Sequence, residues 1–341
     1  ELLSPMGLKV GLLTGSTKTA ARKELHQALR EGSMPILVGT HAVLEDVVQF
    51  HRLGLAVIDE QHRFGVAQRA RLWNKSSPLP PHVLVMTATP IPRTLAMTRY
   101  GDLDVSIINE LPPGRKPVRT VHRHEAYRLE AYNFLKGQIQ EGRQAYMVYP
   151  LIEGSETLDF RDLLEGFERL KKAMPDVPAD LLHGQMKPAE KEDVMRRFVK
   201  GEVKVLVATT VIEVGVNVPN ATLMVIESAE RFGLSQLHQL RGRVGRGADQ
   251  SWCILLTGAK LSEEGKARMR IMCETNDGFK IAEKDLELRG PGEIEGTRQS
   301  GDLKFKIADL AEDRFIMHHA RAEAEALLGQ DPELSLEKHQ G

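Results

Sequence analysis

The chain has 341 residues, 41% of them hydrophobic and 27% charged, enough to bury a sizeable core and to build two domains and an appendage. Its two cysteines, Cys253 and Cys273, form no CxxC pair and have no zinc-spaced partners, which argues against a disulfide framework or metal ribbon and fits a reducing cytoplasm. The formal net charge is only -1, and no leader pattern or bilayer-length apolar stretch occurs, which argues against a membrane role.

Apolar periodicity is already under way at Leu2, Leu3 and Leu8 behind a non-Met first residue, which predicts further chain upstream of Glu1. Gly15-Ser16-Thr17-Lys18-Thr19 has the flavour of a phosphate-binding loop, but such a loop puts Gly directly before its Lys, where Thr17 stands. No GxxxxGK[ST] occurs anywhere in the sequence. Short apolar runs then alternate with longer amphipathic stretches, the pattern of βα units around a parallel sheet. Strands are predicted at Ile36 to Val38, Leu55 to Ile58 and Val83 to Met86.

The run ending at Ile58 leads at once into Asp59-Glu60-Gln61-His62. Two carboxylates at the carboxyl edge of a parallel sheet stand where such sheets bind ligands. One can hold Mg²⁺ directly or through water, and the other can orient or deprotonate an attacking water. A strand followed by a polar turn often shows two acids as well, so the pair needs context. Part of it follows Met86, where Thr87-Ala88-Thr89-Pro90-Ile91-Pro92-Arg93-Thr94 places hydroxyls at a strand end and stiffens the turn with two prolines.

Leu111-Pro112-Pro113-Gly114-Arg115-Lys116-Pro117 rules out continuous helix or central strand, and a domain boundary is placed after Gly114. Beyond it, strands are predicted at Ala145 to Tyr149, Val203 to Val207, Leu223 to Ile226 and Trp252 to Leu256. Gln236 to Arg246 reads as a helix ending near Gly242, after which glycines let Arg241, Arg243 and Arg246 project from a tight backbone. Such always-charged forks stabilise charge on a phosphoryl group in transfer. A break after Gly258 precedes a helix over Leu261 to Thr275, a Gly-rich loop over Leu288 to Gly301 and a closing helix over Ala308 to Leu328. Basic residues cluster at Arg63, Arg69 and Arg71, at Arg115, Lys116, Arg119 and Arg123, and in the arginine stretch. With 5% aromatic residues, nucleic-acid contacts would run along the sugar-phosphate backbone more than over stacked bases.

In this order the elements resemble superfamily 2 helicases. Asp59-Glu60-Gln61-His62 is similar to motif II, Thr87-Ala88-Thr89 to motif III, and Gln236 to Arg246, with Gln239 inside it, to motif VI. Gly39-Thr40-His41 is similar to the DNA-contacting motif Ib, and Ala208-Thr209-Thr210 through Gly215-Val216-Asn217-Val218-Pro219 to motif V, with Asn217 where many members carry Asp. Asp59 to Gly65 with Thr89 to Thr98 narrows the likeness to the RecG and transcription-repair coupling factor families. Asp285 to Gly292 and Gly296 to Gly301 resemble the RecG form of their shared translocation motif.

The resemblance implies an α/β fold of two RecA-like domains with parallel sheets, the first truncated, over 1–114 and 115–258. A helical hairpin, the translocation loop and a C-terminal helix would fill 259–341. It implies ATP and Mg²⁺ as cofactors. Asp59 and Glu60 would serve the metal and water, Arg243 and Arg246 the γ-phosphate, and Gln61, His62, Gly215, Asn217 and Gln239 the nucleotide. DNA contact or coupling would fall to Thr40, His41, Thr87, Thr89, Arg93, Thr209, Thr210, Arg268, Arg289 and Gln299. The implied activity is ATP-dependent remodelling of branched and duplex DNA, fork reversal and Holliday junction migration, by a cytoplasmic monomer that can partner a single-stranded DNA-binding protein. The alternatives are a duplex DNA translocase like the transcription-repair coupling factor or, for this chain alone, a non-catalytic DNA-binding module. The phosphate-binding loop and a DNA-gripping wedge domain would precede Glu1, and the chain alone is expected to hydrolyse ATP poorly.

Overall fold

The computed structural model describes residues 3–60, 71–72, 75, 79–87, 104, 106–108, 110–151, 156–210, 216–289 and 314–336. The chain divides into two compact units, Glu1–Ala88 and Thr89–Gly341.

In the first unit, β1 (Val10–Leu13) and β2 (Ile36–Gly39) pair in parallel across the helix α1 (Thr19–Glu31). β3 (Leu55–Ile58) and β4 (His82–Val85) form a second parallel pair. The sequence reading assigned no strand at β1, whose apolar run Gly11 interrupts. The glycine has a packing cause: a Cβ there would stand 2.6 Å from Leu25 Cδ2 on α1. Gly32 ends α1 in the left-handed region at φ 75°, its N–H returning to the carbonyls of Ala28 and Leu29. Leu13, Leu29, Ala42 and Val48 make one small core, and Leu44, Ala56, Ile58 and Leu72 another.

The second unit carries a six-stranded sheet, every neighbouring pair parallel, in the order β5-β10-β9-β6-β8-β7. These strands are β5 (Arg119–His124), β6 (Gln144–Val148), β7 (Ala179–Leu182), β8 (Val205–Ala208), β9 (Ala221–Ile226) and β10 (Trp252–Thr257). The central strands β6, β8 and β9 are buried at every position, as a sheet covered on both faces requires. The outermost strands are the polar β5 and the short β7, which blunts both edges.

Side chains alternate between two cores. Ala145, Met147, Val205, Val207, Leu223 and Val225 pack under α2 (Arg128–Gln140) and α3 (Glu156–Ala173). Tyr146, Val148, Leu206, Met224, Ile226 and Leu255 pack under α4 (Pro188–Val199), α5 (Leu234–Arg241), α6 (Glu263–Glu274) and α7 (Gly278–Arg289). Three residues separate α6 from α7, so the pair is a helical hairpin. Leu288 and Arg289, read from sequence as the start of the Gly-rich loop, are the last turn of α7. The helix α8 (Arg314–Gln330) closes the described chain. The proline-rich segment after Leu111 is irregular, with a turn closed by Arg115 N donating to Pro112 O and Gly114 at φ 81°. The separation into compact units falls at Ala88/Thr89, upstream of that segment.

Candidate active site and nucleic-acid interface

At the carboxyl edge of the first unit, the backbone leaves β3 through Asp59 and Glu60. Glu60 stands at φ 51°, a left-handed conformation that glycine adopts freely and a glutamate adopts at a cost. Its N–H donates to Asp59 Oδ1 at 2.9 Å, which turns the first carboxylate back over the turn. Met86 N donates to Ile58 O at 2.8 Å, carrying β4 and Thr87 to the same edge. Beside β1, Thr40 N donates to Leu13 O and starts the short turn of His41–Leu44. Gly39 must be glycine, since a Cβ would lie 2.3 Å from Leu13 O. Asp59, Glu60, Thr87, Thr40 and His41 thus all follow strand ends of this unit. Gln61, His62, Thr89 and Arg93 lie outside the described residues.

No group of three or more metal-ligating side chains exists among the described residues. Two adjacent carboxylates suit Mg²⁺, which keeps several waters and takes one or two protein oxygens beside substrate phosphates.

In the second unit, Thr209 follows β8 and is 2% exposed, its N–H donating to Leu182 O at the end of β7. His183, the residue that follows β7, therefore lies beside it. Neither Thr209 Oγ1 nor His183 Nδ1 has a hydrogen-bond partner among the described residues. The Phe160 ring lies 4.9 Å from the imidazole, and Lys191 Nζ donates to Gly184 O at 2.7 Å. Burial first, then the Lys191 cation, holds the His183 imidazole below its usual pKa. Sequence reasoning passed over His183 and Lys191. The available signal was a His-Gly pair behind a short apolar run, too common to single out. Thr210 is half-buried beside them and Asn217 is exposed, whereas Gly215 lies outside the described residues.

The arginine stretch splits in two. Arg241 turns inward, 3% exposed, and donates to the carbonyls of Met272 and Thr275. The expectation that all three arginines project is thus corrected for Arg241, whose guanidinium bonds the end of α6. Arg243 and Arg246 remain half-buried and have no carboxylate partner among the described residues. Burial, with Arg243 and Arg115 close by, lowers the Arg246 pKa, though it stays charged. Gly245 at φ 76° makes the turn between them, and a Cβ there would meet Val118 Cγ2 at 2.7 Å. The result is a group of cations held close together on one turn. Gln239 is half-buried on α5, one turn earlier.

Arg268 on α6 donates to Phe232 O at 2.8 Å and pairs with Glu264 at 3.5 Å. The other two expected coupling groups, the Arg289 side chain and Gln299, lie outside the described residues. A buried pair that sequence reasoning missed stands at the end of β9. There Glu227, 2% exposed, accepts from Arg128 Nε and Nη2 at 3.0 Å each.

Three families match in order along the chain. They are the DEAD/DEAH box helicases over 1–98, the helicase conserved C-terminal domain over 129–248, and domain 3, C-terminal, of the ATP-dependent DNA helicase RecG over 275–340. The ATP-dependent DNA helicase RecG of Synechocystis sp. is 54% identical over 328 residues, 96% of this chain and 39% of its own length. That of Escherichia coli strain K12 is 54% identical over 314 residues, 91% of this chain and 45% of its own. A solved structure of RecG bound to a three-way DNA junction superposes with a TM-score of 0.69 at 42% identity, covering 92% of this chain and 41% of that one. The chain spans less than half the length of the curated relatives it matches. With likeness running through both helicase units and the helical tail, the chain belongs to the RecG family of superfamily 2 DNA helicases.

Proposed function

We propose that this chain supplies the motor of an ATP-dependent translocase that remodels branched DNA in recombination and repair. The observation that carries the reading is the pairing of Arg243 and Arg246, charged, half-buried and without a carboxylate partner among the described residues, on a glycine-shaped turn. Two guanidinium forks on one tight turn suit a phosphate, whose oxygens they can bind bidentately. Bound ATP with Mg²⁺ supplies a phosphoanhydride whose cleavage drives movement, the metal neutralising phosphate charge. Asp59 of the first unit would offer the metal a hard oxygen, and Glu60 would orient and deprotonate an attacking water. Arg243 and Arg246 of the second unit would stabilise charge on a phosphoryl group in transfer. Gln61, His62, Gly215, Asn217 and Gln239 complete the nucleotide contacts.

The Thr209 hydroxyl and His183 imidazole, without hydrogen-bond partners among the described residues, and the nearby Lys191 form a grip for a DNA phosphate together with Thr210. Thr40, His41, Thr87, Thr89 and Arg93 make DNA contacts of their own. Arg268, Arg289 and Gln299 couple turnover to movement. The three-way junction in the RecG complex supports branched DNA as substrate. No described helix is long and apolar enough to cross a membrane. A cytoplasmic monomer that meets a single-stranded DNA-binding protein at the fork completes the proposal, with domains over 1–114, 115–258 and 259–341.

The test is ATP hydrolysis with and without forked DNA. It compares the chain with a chimaera in which its 341 residues replace the matching segment of the Escherichia coli relative. The sequence holds no GxxxxGK[ST], so the chain alone turns over slowly and the chimaera turns over fast with DNA. In the chimaera, Glu60→Gln lowers kcat by about a hundredfold or more. A chimaera that folds, binds DNA and hydrolyses no ATP contradicts the reading.

A further inference from the structure

Arg241 belongs to the arginine stretch and yet offers nothing to a ligand. Its guanidinium is committed: Nη1 donates to Met272 O at 2.9 Å and Thr275 O at 2.8 Å, and Nη2 donates to His238 Nδ1 at 3.0 Å. Met272 and Thr275 close α6, where the last carbonyls of a helix lack intrahelical partners and the helix dipole favours a cation. A second arginine crosses in the opposite sense, since Arg268 of α6 holds Phe232 O, two residues before α5 begins. Thus α6 holds the entrance of α5, and α5 holds the exit of α6. One such contact would leave a hinge, whereas two at opposite ends fix α5 in rotation as well as position. Only Gly242 separates Arg241 from Arg243.

We propose that Arg241 is a positioning residue: by fastening the end of α5 to the carbonyls that close α6, it sets where Arg243 and Arg246 stand and makes their placement depend on the α6–α7 hairpin. The proposal rests on the reading of Arg243 and Arg246 as phosphate-binding groups. Guanidinium is the fitting chemistry, because its planar fork reaches several acceptors at once, where a lysine ammonium on a flexible stem cannot hold the same set.

Two measurements test it. Hydrogen exchange on the 341-residue chain needs no helicase activity. Arg241→Met speeds amide exchange at 242–247 and 275–277 by about tenfold or more while the six-stranded sheet keeps its protection. Unchanged exchange in those segments overturns the proposal whatever the enzyme does. In the chimaera, Arg241→Met lowers kcat per folded molecule by about ten- to a hundredfold with little change in the KM for ATP, and Arg241→Lys falls between. The ATP consumed per base pair displaced rises in the same order. A wild-type kcat in Arg241→Met, or a KM for ATP raised as much as by Arg243→Met, overturns the positioning role. If the unsubstituted chimaera hydrolyses no ATP, the motor reading fails, and the exchange data still decide whether Arg241 holds the loop.

Discussion

A buried hydroxyl with nothing to bond is costly, and Thr209 carries one, without a partner among the described residues, beside His183 Nδ1, which likewise has none among them. Thr209→Val removes that cost. It is expected to raise stability to urea by about 1 kcal/mol and to weaken DNA binding by about tenfold, the loss of one phosphate hydrogen bond. A stabilised variant with unchanged DNA affinity would make Thr209 a packing residue only. The Arg128–Glu227 pair behaves oppositely, because its carboxylate is already satisfied and buried. Arg128→Met strands that charge and costs about 3 kcal/mol of stability in urea, most of which Arg128→Met with Glu227→Leu recovers. His238 gives the second unit a pH dependence. Burial first, and then the Arg241 cation against the opposing pull of Asp277, pushes its imidazole down to about 4. A histidine with a depressed folded pKa contributes stability above its unfolded value near 6.5 and loses it as pH falls toward the folded one. Urea midpoints therefore drop between pH 6.5 and about 4, and His238→Gln flattens that drop; an identical slope in the variant would place the titration elsewhere.

At the scale of elements, the glycine-shaped turn after α5 is the part whose geometry is least replaceable. Gly245→Ala puts a Cβ into Val118 and forces a left-handed alanine, costing about 1–2 kcal/mol and displacing Arg246. Its signature is a larger fall in chimaera kcat than in stability, measured side by side. The buried strands were legible because their apolar runs declare them: the Leu55–Ile58 strand stands where the sequence predicts it, and Trp252–Thr257 begins at the predicted residue. The strands that sequence reading missed each lack that signal. β5 reads Arg-Thr-Val-His-Arg-His because it is an edge strand, and its arginines look like a basic cluster until β10 pairs with it. β7 is four residues long at the other edge, and β1 hides behind Gly11. Arg241 was legible as an arginine and illegible as a bracket, since its acceptors are backbone carbonyls more than thirty residues away.

For the whole molecule, candidate chemistry stands in both units. The first ends strands in Asp59, Glu60 and Thr87, and the second carries Arg243 and Arg246, which have no carboxylate partner among the described residues, and a helical hairpin bonded to the helix that precedes them. Motif order already sets Asp59, Glu60 and Thr87 after predicted strands, at the carboxyl edge where parallel sheets collect ligands. The placement of the chain's division was less readable. Prolines mark Leu111 to Pro117 as irregular backbone, while compactness depends on long-range contacts that no local composition reports. The most direct measurement of the central claim is strand displacement from a labelled three-way DNA junction by the chimaera, with ATP and Mg²⁺. Release that requires ATP and is abolished by Arg246→Ala while junction binding persists is the predicted result; junction binding with no ATP-dependent release in the unsubstituted chimaera would contradict the account.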